Sequence, residues 1–457
     1  MKTKITRNQA LLTAIGFMIG SGIFFKADNI VASTGGNIVV SLFSWLFAAT
    51  TLIFAGISVA AIASQKEIAG GFVGYIEHYF SKLFGEKKGK TLAFIIGWYQ
   101  IVLYIPIMVA VVSRTFADFF FQFIGVEAND SQIFWAALII MTFMFVWNGI
   151  STKIGALISS TATVIKVIPL ILIALIGVIM GDWSNITSSV NPGIEGVNLD
   201  ASTITLFLAP LMALSFAFDG WVSVGSLSKD IENPKKNLPF VFVASIIVTA
   251  IIYILYYLGI NLLMPGDQIV ALGDGHVAQI ANDTIGPLFS KFIIFAVMFS
   301  VLGTANAIFM AGSRYVHKLA SSDLLIGSPF FRKETENKTV FNASIFVFIV
   351  CIIFDILYSL QASLGVTSFN IDDIPMAINA FFYLFLFYIT IALFKEKKLT
   401  TFKGVVAPAI AIFGQVAVII AFMATVPGAF IFVIVSVIVV ALGFINTMYK
   451  DFSLKNK

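Results

Sequence analysis

The sequence predicts an all-α membrane protein with twelve transmembrane helices. Three observations predict it: too little charge for a soluble surface, twelve apolar runs of spanning length, and basic residues gathered on one set of connections. Of 457 residues, 59% are hydrophobic and 11% charged, with a mean hydropathy of +0.98. A soluble domain is roughly a quarter charged. Soluble enzymes and nucleic-acid binders are thereby excluded, and the lipid bilayer is the first partner. The apolar segments show no strict alternation, so helices rather than a closed barrel satisfy the backbone in lipid.

Residues 1–8 are polar, with Lys2, Lys4 and Arg7, and are expected to form a cytoplasmic N-terminus. The apolar run after them continues through Ile30 without a small-residue cleavage site, which predicts a retained helix rather than a signal peptide. Spanning runs follow near 9–32, 38–64, 91–123, 133–150 and 154–180, which with the connections between them make a first set of five, 9–180. A second set of five, 202–394, holds runs near 202–226, 239–263, 289–319, 340–361 and 374–394. Runs near 403–425 and 428–449 form a last pair, 403–449, ahead of a polar tail, 450–457. One crossing needs about 20 apolar residues, and longer runs tilt or extend past the bilayer. Between spans 2 and 3, residues 70–84 carry Phe72, Tyr75, Ile76, Tyr79, Phe80 and Leu83 near helical spacing. That segment reads either as an amphipathic helix on the inner membrane face or as a plain loop.

Orientation follows from the 28 Lys and Arg residues: 23 lie on the termini and the connections sharing their side. Arg114 and Lys291 lie opposite, at helix edges, and Lys26, Lys166 and Arg314 fall within spans. The basic-rich side is expected to be cytoplasmic, with both termini on it, in a multi-pass protein of the cell membrane. The opposite loops carry Glu127, Asp130, Asp182, Glu195, Asp267 and Asp274.

Two spans are interrupted at matching places. Span 1 reads Gly16-Phe-Met18-Ile-Gly20-Ser21-Gly22-Ile-Phe, and span 6 reads Leu214-Ser-Phe216-Ala217-Phe218-Asp219-Gly220-Trp221. Each opens one set of five. Such paired interruptions point to a transporter binding site at the midplane. An unwound segment frees N–H and C=O groups that lipid cannot satisfy, so a cavity or polar ligand must. A half-helix N-terminus then suits a carboxylate, and freed carbonyls suit an ammonium; a zwitterionic amino acid supplies both. The competing reading of Gly20-Ser21-Gly22 is close helix packing through small residues. For Asp219 it is a helix end in water, although intramembrane acids are usually functional. Lys166, in span 5 ahead of Pro169, either snorkels or places its ammonium on carbonyls of the span 1 break.

Asn306 in span 8 either lines the cavity or makes an interhelical hydrogen bond, and Asn379 in span 10 is similar. Arg314 marks the basic-side end of span 8. Phe216 and Phe218 are expected pocket walls or gates. His78, His276 and His317 lack metal-ligand spacing, so no metal or cofactor is expected. Cys351 is the one cysteine and reads as a small apolar helix residue. No nucleophile-and-base constellation supports an enzyme, and no filter repeat supports a channel. A six-plus-six parallel repeat would need interruptions in spans 1 and 7.

The span 1 and span 6 wordings resemble those of the amino acid–polyamine–organocation superfamily. The stretch Lys229-Asp-Ile-Glu-Asn233-Pro234-Lys-Lys-Asn237-Leu-Pro239 looks like the loop after its sixth helix. Residues 161–169 and 303–314 are similar to its fifth and eighth helices, so the resemblance covers the first ten spans. It is nearest in wording to the L-type amino acid transporters and bacterial serine/threonine-type exchangers. The resemblance implies a LeuT-like five-plus-five inverted repeat with two helices appended, discontinuous helices 1 and 6, alternating access and sodium-independent exchange. It places the substrate carboxylate on the backbone of Ser21 and Gly22, and the amine on carbonyls of Met18, Phe216, Ala217 and Asp219. Trp221 and Asn306 complete the expected pocket, Phe216 is its gate, and Gly20 and Lys166 are structural or coupling residues. The substrate expected is a small or medium neutral amino acid. The acid at Asp219 departs from the many relatives with glycine there and keeps a second reading open, a cationic amino acid or diamine antiporter. With Cys351 inside span 9, no disulfide-linked subunit is expected, and the chain is read as a monomer or homodimer.

Overall fold

The computed structural model describes residues 5–20, 22–68, 70–187, 201–228, 231–322, 324–335, 339–365 and 370–455. All regular structure described is helical, apart from one bridge between Ile5 and Ile231. The first apolar run becomes three pieces, α1 (Arg7–Met18), α2 (Gly22–Phe25) and α3 (Ala27–Ser33). It starts at a capping box, in which Thr6 and Gln9 satisfy each other's backbone N–H. There follow α4 (Ile38–Gln65), α5 (Gly71–Phe84), α6 (Glu86–Tyr99), α7 (Ile105–Ile124), α8 (Asp130–Ile150), α9 (Thr152–Met180) and α10 (Ser184–Thr187). The second half holds α11 (Ala201–Leu208), α12 (Leu211–Ala217), α13 (Pro234–Leu263), α14 (Gly266–Leu272), α15 (His276–Thr284) and α16 (Pro287–Ser321). Then come α17 (Ser328–Phe331), α18 (Phe341–Ser363), α19 (Asp373–Lys395), α20 (Ala407–Thr425) and α21 (Ala429–Lys455).

Eight helices among the described residues are long and apolar enough to cross a membrane: α4, α6–α7 as one rod, α8, α13, α16, α18, α19, and α20 with the turn before it. The apolar stretches Ile165–Met180, Thr205–Ala217 and Ala429–Gly443 are shorter. The chain is thus a multi-pass membrane protein. Two rods contain π turns, Gln100–Tyr104 and Phe402–Val406. Both precede a proline, Pro106 and Pro408, whose missing N–H breaks the regular ladder. Ile105 and Ala407 donate instead to carbonyls five residues back, Gln100 O and Phe402 O.

Packing centres on α13, which lies against α4, α9 and α1, and on α16, which lies against α7 and α9. In lipid, close packing and polar contacts hold helices together. Gly177 of α9 meets Gly259 of α13 so closely that a Cβ on the former would lie 2.4 Å from the latter's Cα. Trp45 is fully buried and packs edge-on to Phe218 and Tyr253, with ring centroids 5.5 and 5.8 Å away. Such aromatic pairs are each worth about 0.5–1.5 kcal/mol.

Two expectations are corrected. Residues 70–84 do form a helix, but the apolar face of α5 is buried on protein rather than on the membrane surface. Phe72 packs on Tyr383 and Phe80 on Phe385, both from α19. Arg114 is not at a helix edge: it lies inside α7, 3% exposed. Its guanidinium bonds Asp355 Oδ1 at 2.5 Å and Asp130 Oδ1 at 2.8 Å, and it also donates to Ser359. A buried guanidinium needs such acceptors on several sides, and α18 supplies them from Asp355 and Ser359.

Candidate functional site

The two interrupted segments pack directly on each other. Helix α1 ends at Met18, and Ile19 is extended, with φ −70° and ψ 99°. Helix α12 ends at Ala217, and Gly220 then takes φ +88°, which favours glycine. A Cβ at Gly220 would also lie 2.5 Å from Phe17 O. Across the contact, a Cβ on Gly22 would lie 2.8 Å from Phe216 Cδ1 and 2.9 Å from Ala217 Cα. The backbone of one segment therefore touches the other with no room for a side chain. Gly20 faces Thr304 of α16, and Ser21 lies outside the described residues.

The freed carbonyls have partners. The Tyr253 hydroxyl of α13 lies 2.8 Å from Met18 O and 3.1 Å from Ala217 O, so one donor bridges the ends of both helices. Lys166 is 3% exposed and donates to Gly16 O in the last turn of α1. The C-terminal end of a helix carries partial negative charge, which suits an ammonium.

On the other side of α2, Lys26 forms an ion pair with Asp372 at 2.8 Å, both side chains 2% exposed. Its Nζ also lies 5.0 Å from the centroid of Phe216. A cation over an aromatic face is attracted by the ring quadrupole. Phe216 is thus held between Gly22 and Lys26.

Asp219 accepts a hydrogen bond from Tyr104, the last residue of the π turn in the α6–α7 rod. The same turn sends Gln100 to Asn379 of α19, at 3.3 Å, and just before it Tyr99 donates to Pro375 O at 2.9 Å. Asp219 also lines a cavity between α4, α12, α19 and α20, together with Ser215, Trp221, Asn379, Tyr383 and Gln415. Trp221 is buried there, edge-on to Tyr383 with centroids 5.2 Å apart. Asn306 is not among the residues lining this cavity. Its amide oxygen accepts from Trp147 at 2.8 Å and Asn148 at 2.7 Å, tying α16 to α8.

The structure thus brings together Met18, Gly22, Phe216, Ala217, Gly20 and Lys166 around one contact, with Asp219 and Trp221 beside it. Sequence reasoning did not single out Tyr253, Tyr104, Asp372 or Asp355. Pro106 was an available signal for the π turn that presents Tyr104. The Asp372–Asp373 pair at the start of span 10 was an available signal for the partner of Lys26.

Among known proteins, the chain is similar to the serine/threonine exchanger SteT of Bacillus subtilis, 26% identical over 398 residues, covering 87% of this chain and 85% of that one. It is also similar to the human cystine/glutamate transporter, 24% identical over 319 residues, 69% of this chain and 60% of that protein. The chain therefore spans most of the exchanger but only about 60% of the human relative. Among solved structures, MhsT in complex with L-phenylalanine matches with a TM-score of 0.58 at 16% identity, over 91% of this chain and 98% of that one. At that identity the likeness concerns the fold. These relatives are transporters and exchangers rather than enzymes. A family profile described as amino acid permease matches residues 5–452. The chain belongs to the amino acid permease family.

Proposed function

We propose that the chain is a secondary active amino acid transporter, a sodium-independent exchanger of small or medium neutral L-amino acids working by alternating access. The observation that carries this reading is the contact of the two interrupted segments at Gly22, Phe216 and Ala217, with Lys166 on the end of α1. In a sodium-coupled carrier a metal ion would meet such carbonyls; here an ammonium built into the chain meets one. The likeness to a serine/threonine exchanger over 85% of its length supports the small neutral substrate.

On this reading the chain crosses the bilayer twelve times, with both termini cytoplasmic. Residues 9–180 and 202–394 are inverted five-helix repeats, and 403–449 is an appended pair. The substrate carboxylate meets backbone N–H groups at Ser21 and Gly22. The amine meets carbonyls of Met18, Phe216, Ala217 and Asp219, sharing those of Met18 and Ala217 with Tyr253. Phe216 is the gate, and the Lys26–Asp372 pair holds it shut. Asn306 acts by positioning α16 against α8.

The second reading is a cationic amino acid or diamine antiporter. It is favoured by Asp219 lining a cavity. The bond from Tyr104 occupies one of the two Asp219 carboxylate oxygens. Competition against labelled serine uptake by alanine, arginine and putrescine, in preloaded and empty proteoliposomes, separates the two. Alanine competition only in preloaded vesicles is the expected result. Competition by arginine or putrescine that Asp219→Asn abolishes selects the second reading, and no competition by any of them sinks both.

A further inference from the structure

A second cavity, of about 480 Å³, lies between α4, α13 and the π turn ahead of α20, and it shares no lining residue with the one at Asp219. Its floor is small side chains, Ala60, Ala61 and Ala244. Phe240, Ile247 and Phe402 form its rim, 45%, 38% and 50% exposed, so it opens sideways from the bundle. From Phe240 to Ile247 the wall rises about 10 Å along α13. The size falls within the roughly 300–1,000 Å³ of ligand pockets.

The one charged residue lining this groove is basic. Lys403 lines it directly, and the Arg7 guanidinium sits 4.8 Å from the centroid of Phe240. Lys235 and Lys236 lie one turn before Phe240 on α13. Among the described residues, neither Lys403 nor Arg7 forms a salt bridge. An apolar slot open to lipid, with unneutralised cations at one end, fits a molecule with a long apolar tail and an anionic head.

We infer that this groove binds one anionic phospholipid of the surrounding bilayer, an acyl chain lying between α4 and α13 and the phosphate at Lys403. Basic side chains at the membrane surface attract anionic headgroups. The apolar rim explains why the occupant enters from the membrane.

The test uses the full chain purified in detergent and native mass spectrometry with phosphatidylglycerol and phosphatidylcholine of identical acyl chains. One phosphatidylglycerol should be retained in preference to phosphatidylcholine, and Lys403→Gln should lower its retention about fivefold. Ala244→Phe fills the floor and should remove both lipids. A second measurement does not depend on that variant folding. Ser64→Cys places a thiol in the groove, and the natural Cys351 is buried. Phosphatidylglycerol should slow maleimide labelling of that thiol, and phosphatidylcholine should not. Equal retention of the two lipids, no effect of Lys403→Gln, or labelling indifferent to phosphatidylglycerol would overturn the proposal. So would a lipid-free dimer that Ala244→Phe turns into monomer, since a second copy would then occupy the groove.

Discussion

Lys166 and Lys26 are the same residue in the same apolar setting, 3% and 2% exposed, yet they are neutralised in different ways. Lys166 meets a backbone carbonyl at the end of α1. Lys26 meets a carboxylate at the start of α19 and the face of Phe216. In both cases the acceptor belongs to another element, α1 for Lys166 and the start of α19 for Lys26, but the first acceptor is a neutral dipole and the second a full negative charge. Removing each lysine also leaves a different residue of cost, a lone carbonyl in one case and a buried anion in the other.

Lys26→Ala should have the largest effect, because Asp372 would be left buried without its ion partner. Breaking a buried pair costs about 3–5 kcal/mol, while replacing both members with apolar residues is often neutral. The single variant should lower the thermal midpoint sharply, and Lys26→Met with Asp372→Leu should restore most of it. A double variant as unstable as the single would mean that the pair contributes more than mutual neutralisation.

Lys166→Ala should cost less, about 1.5–3 kcal/mol, because only a hydrogen bond from a charged donor is lost. Its effect should fall on exchange, measured in proteoliposomes against the amount of protein inserted. Normal exchange would reduce this contact to a structural one and end the contrast with Lys26.

Gly22→Val tests the contact between the two lysines. With Phe216 Cδ1 at 2.8 Å and the Ala217 Cα at 2.9 Å, a branched side chain must push the segments apart, at about 1–3 kcal/mol. Substrate binding followed by thermal shift should be lost, and unchanged affinity would move the site elsewhere.

The smallest effect belongs to an exposed counterpart of Lys26–Asp372. Hydrogen bonds from Lys398 and Lys82 draw the Glu396 carboxyl from 4.5 down to about 2. The contribution is present above pH 4.5 and fades as pH falls towards 2. Solvent and salt screen such a pair, so Glu396→Gln should leave the neutral-pH midpoint almost unchanged, and less so in low salt.

Much of the helical layout was legible in the sequence. The run read at 38–64 is the helix Ile38–Gln65, and the run read at 340–361 is Phe341–Ser363. Lipid demands about 20 apolar residues per crossing wherever the chain lies, so no tertiary information is needed. The wording Gly20-Ser21-Gly22 marked where α1 stops, since glycine and serine weaken a helix that apolar neighbours would continue. The fate of polar groups was not legible in the same way. Twelve tyrosines are present, and nothing local distinguishes Tyr253, whose hydroxyl bridges Met18 and Ala217, from Tyr256 and Tyr257 on the same helix. Arg114 read as a helix-edge cation because two of its partners, Asp355 and Ser359, lie more than two hundred residues later.

By itself, the sequence determined that this protein is a helical membrane protein, where most of its helices run, and which two segments resist being helix. Those properties follow from hydropathy and from backbone preferences that act over a few residues. Only the tertiary structure decided which oxygen each buried cation takes, which tyrosine closes the break, and that Asp219 faces Tyr104. In a medium without water, every polar group must find its partner inside the protein, and that partner is set by which helices touch.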